Sequence, residues 1–203
     1  MSHKTLTVMS AKCFTIDRSW LRGLLLLTLL AGTPALASAA AEPGFVVRRA
    51  TTVLVDKVYH LDAKIDYRFS AEALEALDNG VPLVVELAIE IERKREYMWD
   101  ETVATLRQRY QLSYEALTQR YVVTNLNSGA DNYYADRAAA ITALGNVVNL
   151  PILDAGLLNP NEIYSVWLQA SLDLEALPVP MRVAGYFSGD WHLTSEWYTW
   201  PLQ

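Results

Sequence analysis

Tyr59-His60-Leu61-Asp62-Ala63-Lys64-Ile65-Asp66-Tyr67-Arg68-Phe69 alternates without a break. Tyr59, Leu61, Ala63, Ile65, Tyr67 and Phe69 are apolar or aromatic, and every residue between them is polar or charged. Side chains of a strand point alternately to its two faces, so this repeat of two predicts a strand with one face buried and one wet. One-sided burial belongs to antiparallel sheets, because parallel strands are usually covered on both faces.

Upstream, Val46–Val55 reads as a second strand rich in Val and Thr. Downstream, Ser70 caps a short helix over Ala71–Leu77, which Asn79-Gly80 stops. Leu83–Arg95 alternates again, with Leu83, Val85, Leu87, Ile89 and Ile91 facing in and Glu86, Glu90, Glu92 and Lys94 facing out. Met98–Glu101 is a turn. Thr102–Leu112 is a strand, Ser113-Tyr114-Glu115 a tight turn and Leu117–Leu126 the returning strand, so these three strands form a meander. Asn127-Ser128-Gly129 is a loop, and Ala135–Leu144 is an alanine-rich helix ended by Gly145-Asn146. Val147–Ile152 is a short apolar run. Ile163–Leu174 alternates, with Tyr164, Val166, Leu168, Ala170 and Leu172 on one face. Pro178 and Pro180 mark a break, after which Arg182–Phe187 and Trp191–Trp200 read as the last strands, joined at Ser188-Gly189-Asp190.

About eight strands at this spacing, with two short helices in the connections, predict an all-β fold. The expected architecture is an antiparallel two-sheet β-sandwich, immunoglobulin-like or C2-like.

Residues 1–41 read differently. Lys4, Lys12, Arg18 and Arg22 precede the charge-free, leucine-rich run Gly23–Gly32, which Pro34 and the small residues Ala35–Ala41 follow. A basic segment, a short apolar core and an A-x-A tail are the parts of a secretory signal peptide. The apolar core falls short of the roughly 20 residues a spanning helix needs, so cleavage is expected after Ala37, Ala39 or Ala41, with Ala39 or Ala41 favoured. The expected organisation is a signal peptide over 1–41 and one sandwich domain over 42–203, located in the periplasm and not inserted in the membrane. Cys13 is the sole cysteine, so residues 42–203 carry no disulfide and no thiol ligand. Beyond residue 41, 13 Lys and Arg stand against 22 Asp and Glu, a net charge of −9. That balance argues against nucleic acid and anionic lipid as partners.

Several ordered motifs accompany this pattern. They are Gly80-Val81-Pro82-Leu83, Trp99-Asp100-Glu101, and Arg109-Tyr110 with Arg120-Tyr121-Val122-Val123. Leu144-Gly145, Ser171-Leu172-Asp173-Leu174 and Leu177-Pro178-Val179-Pro180 follow, and Ser195-Glu196-Trp197-Tyr198-Thr199-Trp200-Pro201-Leu202 closes the chain. In this order they resemble a proteobacterial exported family filed as a domain of unknown function, some of whose members are labelled proline-rich signal peptide proteins. The resemblance implies no activity, ligand or catalytic residue. It implies the company of a nitrogen-regulation-type membrane sensor kinase.

Chemistry-bearing patterns are sparse. His60-Leu61-Asp62 with His192 has the residue types of a non-haem iron triad, but the strand pattern puts His60 and Asp62 on a wet face beside Lys64 and Arg68, the setting of surface residues. There is no nucleophile elbow, phosphate loop or dinucleotide fingerprint. Asp154 and Asp173/Glu175 are loop carboxylates without the dense oxygen ligands of a calcium loop. Arg93-Lys94-Arg95, flanked by Glu92 and Glu96, is a charged strand end that could meet an acidic partner. No catalytic residue, metal site or cofactor is therefore expected.

The candidate ligand-binding residues are Trp200, Tyr198 and His192. As one strand, Trp191, Leu193 and Trp197 would share a face, and His192, Tyr198 and Trp200 the other. One face must be core. The other is either an aromatic platform for a glycan or small ligand, or a cap on the edge of the sandwich. The expected role is a non-catalytic domain that binds another protein of the cell envelope, with a glycan- or small-ligand-binding module as the alternative. Oligomeric state is open.

Overall fold

The computed structural model describes residues 42–95 and 97–202; the expected signal peptide lies outside them. Among the described residues, nine strands form two antiparallel sheets, with three short helices in the connections. One sheet holds β1 (Gly44–Val55), β2 (Val58–Arg68) and β7 (Asn146–Asp154), in the order β1-β2-β7. The other holds β3 (Leu83–Arg93), β4 (Glu101–Glu115), β5 (Arg120–Asn125), β6 (Ala130–Tyr134), β8 (Tyr164–Leu172) and β9 (Tyr198–Pro201), in the order β6-β5-β4-β3-β8-β9. The helices are α1 (Ala71–Asp78), α2 (Arg137–Leu144) and α3 (Val179–Phe187). The all-β, two-sheet sandwich expected from the alternation is the observed class. Among the described residues no helix is long and apolar enough to cross a membrane.

The alternating residues form the core. Leu61, Ala63, Ile65 and Tyr67 of β2, the five inward residues of β3, and Tyr164, Val166, Leu168, Ala170 and Leu172 of β8 are all buried. The two-residue turn Asp56-Lys57, both at positive φ, joins β1 to β2 with the twist that tight hairpins need. Three strands cannot cover six, and helices fill the difference: α1 lies against β4, and α2 against β4, β5 and β6. Helices α1 and α2 each start on a capping side chain. Ser70 Oγ accepts from Ala73 N–H at 3.1 Å, and an Asp136 oxygen from Ala139 N–H at 2.8 Å. The end of α2 meets β2 backbone to backbone: Ile65 N–H donates to Gly145 O at 2.8 Å, and a Cβ on Gly145 would lie 2.1 Å from Ile65 O.

On one side the sheets nearly close. Phe45 N–H donates to Thr194 O at 3.4 Å, and Trp200 Nε1–H to Thr52 Oγ1 at 3.2 Å. On the other side β6 and β7 are free edges.

Three expectations need correction, and a fourth is incomplete. The turn after β4 lies at Ala116–Gln119, not at Ser113-Tyr114-Glu115, because those three residues still pair with Val122, Tyr121 and Arg120. Asn127-Ser128-Gly129 is the loop expected, as part of a hairpin turn, but it leads into β6, a strand that was not expected because it has no apolar alternation to reveal it. Val179–Phe187 is helix α3, not a strand; Pro180 stands in its first turn, where a missing N–H costs nothing. Trp191–Trp200 is not one continuous strand. It begins as a 3-10 turn over Gly189–Trp191, touches β8 through the single bridge Ser171–Thr194, and becomes β9 only at Tyr198.

Candidate functional site

The aromatic tail is built around a one-residue slip. Thr194 pairs with Ser171, and an unbroken ladder would then set Trp197 opposite Leu168; Tyr198 stands there instead. Ser195 absorbs the extra residue. Its N–H donates to Ala170 O at 2.8 Å, and its own Oγ accepts from Ala170 N–H at 3.0 Å, replacing a ladder carbonyl. A slip by one residue exchanges the two faces of a strand. Trp191, Leu193 and Ser195 are buried, whereas Trp197 turns outward to 40 % exposure. Tyr198 and Trp200 turn inward and pack half-buried against the core, 5.9 Å apart between ring centres. The expected sharing of faces is thus reversed beyond Ser195.

His192 is not with them. It is exposed at the end of the 3-10 turn, its Nδ1 3.0 Å from Ser188 O. Thr194, two residues on, faces Ser171, five positions along β8 from the partner of Trp200, a separation of about 17 Å at strand rise. The structure therefore brings Tyr198 and Trp200 together and leaves His192 apart.

The other sequence candidates are engaged locally. His60 lies half-buried on β2, and the Asp62 carboxylate accepts from Asn149 N–H at 2.8 Å in the bend of β7, where Asn149 has positive φ. Asp154 accepts from Gly156 N–H at 2.8 Å. Asp173 accepts from Glu175 N–H at 3.0 Å and from Ala176 N–H at 3.3 Å, and also pairs with Arg109. These are turn and cap contacts. Among the described residues, no group of three or more His, Cys, Asp and Glu side chains is placed to hold a metal ion.

The hairpin tip between β3 and β4 is the feature that sequence reading passed over. Tyr97, Met98 and Trp99 stand in succession at 93 %, 68 % and 94 % exposure. Turns are normally made of Gly, Pro, Asn, Asp and Ser, so two aromatics and a methionine in a turn segment were the available clue. Beneath the tip, Arg93 and Arg95 both bond the Glu101 carboxylate, and Arg93 lies 4.0 Å from Glu162. The Arg95 and Arg93 guanidiniums hold the Glu101 carboxyl below its ordinary value. A groove of about 740 Å³ runs between the tip and Asn161, Glu162 and Ile163.

Helix α3 has a similar outward character. Val179, Val183 and Phe187 recur at helical spacing and are exposed, Phe187 at 90 %, while Gly185 is buried against Trp191. Tyr186 Oη–H donates to Glu175, which holds that phenol above its ordinary value.

Comparison with curated proteins and with solved structures gives no match. A family model described as a domain of unknown function, DUF4390, matches residues 42–201, the whole sandwich from the start of β1 to the end of β9, and the chain belongs to that family.

Proposed function

We propose that this protein is an exported, non-catalytic interaction domain of the cell envelope, and that its contact surface is the tip Tyr97-Met98-Trp99. The exposure of three consecutive large side chains is the observation that carries the reading. Trp and Tyr anchors seated in a partner's pocket dominate protein interfaces, and contiguous exposed apolar surface marks such sites. The signal-like residues 1–41 support export to the periplasm. The use of Asp62, Asp136, Asp154 and Asp173 in caps and turns supports a binding role over a catalytic one. The resemblance described above points to the sensor part of a membrane kinase as the first partner to try.

Photocrosslinking from positions 97 and 99 in living cells tests the reading. One envelope protein should crosslink at both positions, and the adduct should vanish when Met98→Ser accompanies the probe. Equal labelling from a probe at Glu72, on exposed α1 surface, would sink it. N-terminal sequencing of the envelope form tests export: the chain should begin between Ser38 and Glu42, and one beginning at Met1 or Met9 would refute cleavage.

A further inference from the structure

The inner faces of a sandwich are ordinarily apolar. Along its open side, where β6 and β7 are the free edges, this sandwich departs from that rule. Asn125 stands opposite Tyr110, and Asn132 opposite Val123, on the inner face of the six-stranded sheet. Tyr134 follows on the same face of β6, and Ala130, the partner of Asn125, is too small to fill the space beside it. Asn146, just past α2, reaches the same place from the facing sheet. Together they line a cleft of about 340 Å³ whose remaining wall is apolar, chiefly Val123, Leu144 and Val147. Among the described residues, no Lys, Arg, His, Asp or Glu lines it.

Of the three amides, that of Asn125 ties the fold together. Among the described residues, every protein hydrogen bond made by side chains lining the cleft converges on one atom, the Asn125 Oδ1. It accepts from Gln108 Nε2–H at 2.7 Å, Asn127 N–H at 3.0 Å and Ser128 N–H at 3.1 Å. Three bonds fix the Asn125 amide plane and leave its NH₂ unengaged, a preorganised donor. Gln108, which holds it, is itself buried. Tyr110, which lines the cleft, is half-buried, and burial pushes its phenol up, so that part of the cleft is already partly shielded from water.

From the amides, phenols and missing charges we infer that this inter-sheet cleft binds a neutral, hydroxyl-rich small molecule: a single sugar residue, free or at the end of a glycan. An amide offers a donor and an acceptor side by side, which matches a pair of neighbouring hydroxyls. The tyrosine rings and valines suit the apolar face of a sugar ring. A charged ligand would be desolvated with no counter-charge, and a purely apolar one would leave the amides unpaired. The volume lies at the low end of small-molecule sites, about 300–1,000 Å³. This site is separate from Tyr198 and Trp200, which lie on the closed side, and from the 97–99 tip.

The test is a backbone-amide NMR titration of the purified protein with a panel of neutral mono- and disaccharides, taken to tens of millimolar, with glucose 6-phosphate as the charged control. At least one neutral sugar should give saturable shifts confined to residues 125, 130–134 and 144–148, and the phosphorylated sugar should give none. Asn132→Leu, at an exposed position, should weaken binding by about tenfold or more while the thermal midpoint stays put. Met98→Ser should leave sugar binding unchanged, so loss of the partner at the tip and loss of the sugar are separate results. No saturable shift from any sugar, shifts centred on Tyr198 and Trp200, equal binding of the phosphorylated sugar, or undiminished binding by Asn132→Leu would each overturn the inference.

Discussion

Ile65 is buried at the centre of β2, and its neighbour Asp66, on the other face, pairs with Arg48 at 2.6 Å near the surface. Ile65→Asp should therefore abolish folding: an unpartnered buried carboxylate costs several kcal/mol, comparable with the roughly 5–15 kcal/mol of a whole domain. Asp66→Ala should cost no more than about 1 kcal/mol, the range of an exposed ion pair. Thermal melts decide it, and equal midpoints would refute the assignment of faces on β2. Tyr67 offers a sign test. Its hydroxyl is buried with no hydrogen-bond partner, and burial and then Tyr110 push the phenol far up. Tyr67→Phe should be neutral or stabilising by up to about 1 kcal/mol; a loss of more than that would reveal a bonded hydroxyl. Gly145→Ala should destabilise the domain by about 1–3 kcal/mol through overpacking, since the new Cβ would meet Ile65 O at 2.1 Å. The inward and outward residues of β2, β3 and β8 were legible because period two reports burial directly. Gly145 was legible only as a helix stop. Its close approach to β2 depends on a neighbour 80 positions away, and no local pattern encodes that.

Elements with a buried stripe could be read, and those with an exposed one could not. In α3 Val179, Val183 and Phe187 face out while Met181 and Gly185 pack inward, so the residues at apolar helical spacing were not the core-facing ones. The tail misled in another way. Its alternation of burial at Trp191, Leu193 and Ser195 is real, but a hydroxyl takes the place of a ladder carbonyl, and the slip that follows leaves no trace in hydropathy. The cleft escaped notice because β6 carries no alternation at all. At the β3–β4 tip, Glu101 ties down Arg95 and Arg93 and titrates below its ordinary 4.5. A depressed carboxyl contributes its stability above the unfolded value and loses it as pH falls through the folded one. The tip should thus stay ordered at neutral pH and loosen only on acidification to below 4.5. Amide exchange at residues 93–101 followed against pH checks this; Glu101→Gln should give the loosened pattern at neutral pH, and protection unaffected by either change would refute the clamp.

At the scale of the molecule, two sheets of unequal width share one core, and α1 and α2 fill the part the smaller sheet leaves bare. A single core predicts one cooperative unfolding transition, with calorimetric and van't Hoff enthalpies in agreement. Because the only cysteine is Cys13, a reductant should leave the midpoint unchanged. Two resolved transitions, or a midpoint lowered by dithiothreitol, would contradict this account of what holds the domain together.

Strand β3 lies inside the six-stranded sheet, between β4 and β8. Val84, near its start, lies beside the segment leading into α3, since Val84 O accepts from Asp173 N–H at 2.8 Å; Arg93, at its end, supports the tip. Eleven residues of antiparallel strand make a rod of about 35 Å, with an apolar surface at either end and stiff hydrogen-bonded neighbours along both flanks. Two proteins held at those ends would not collide or compete. They would be kept about one strand length apart.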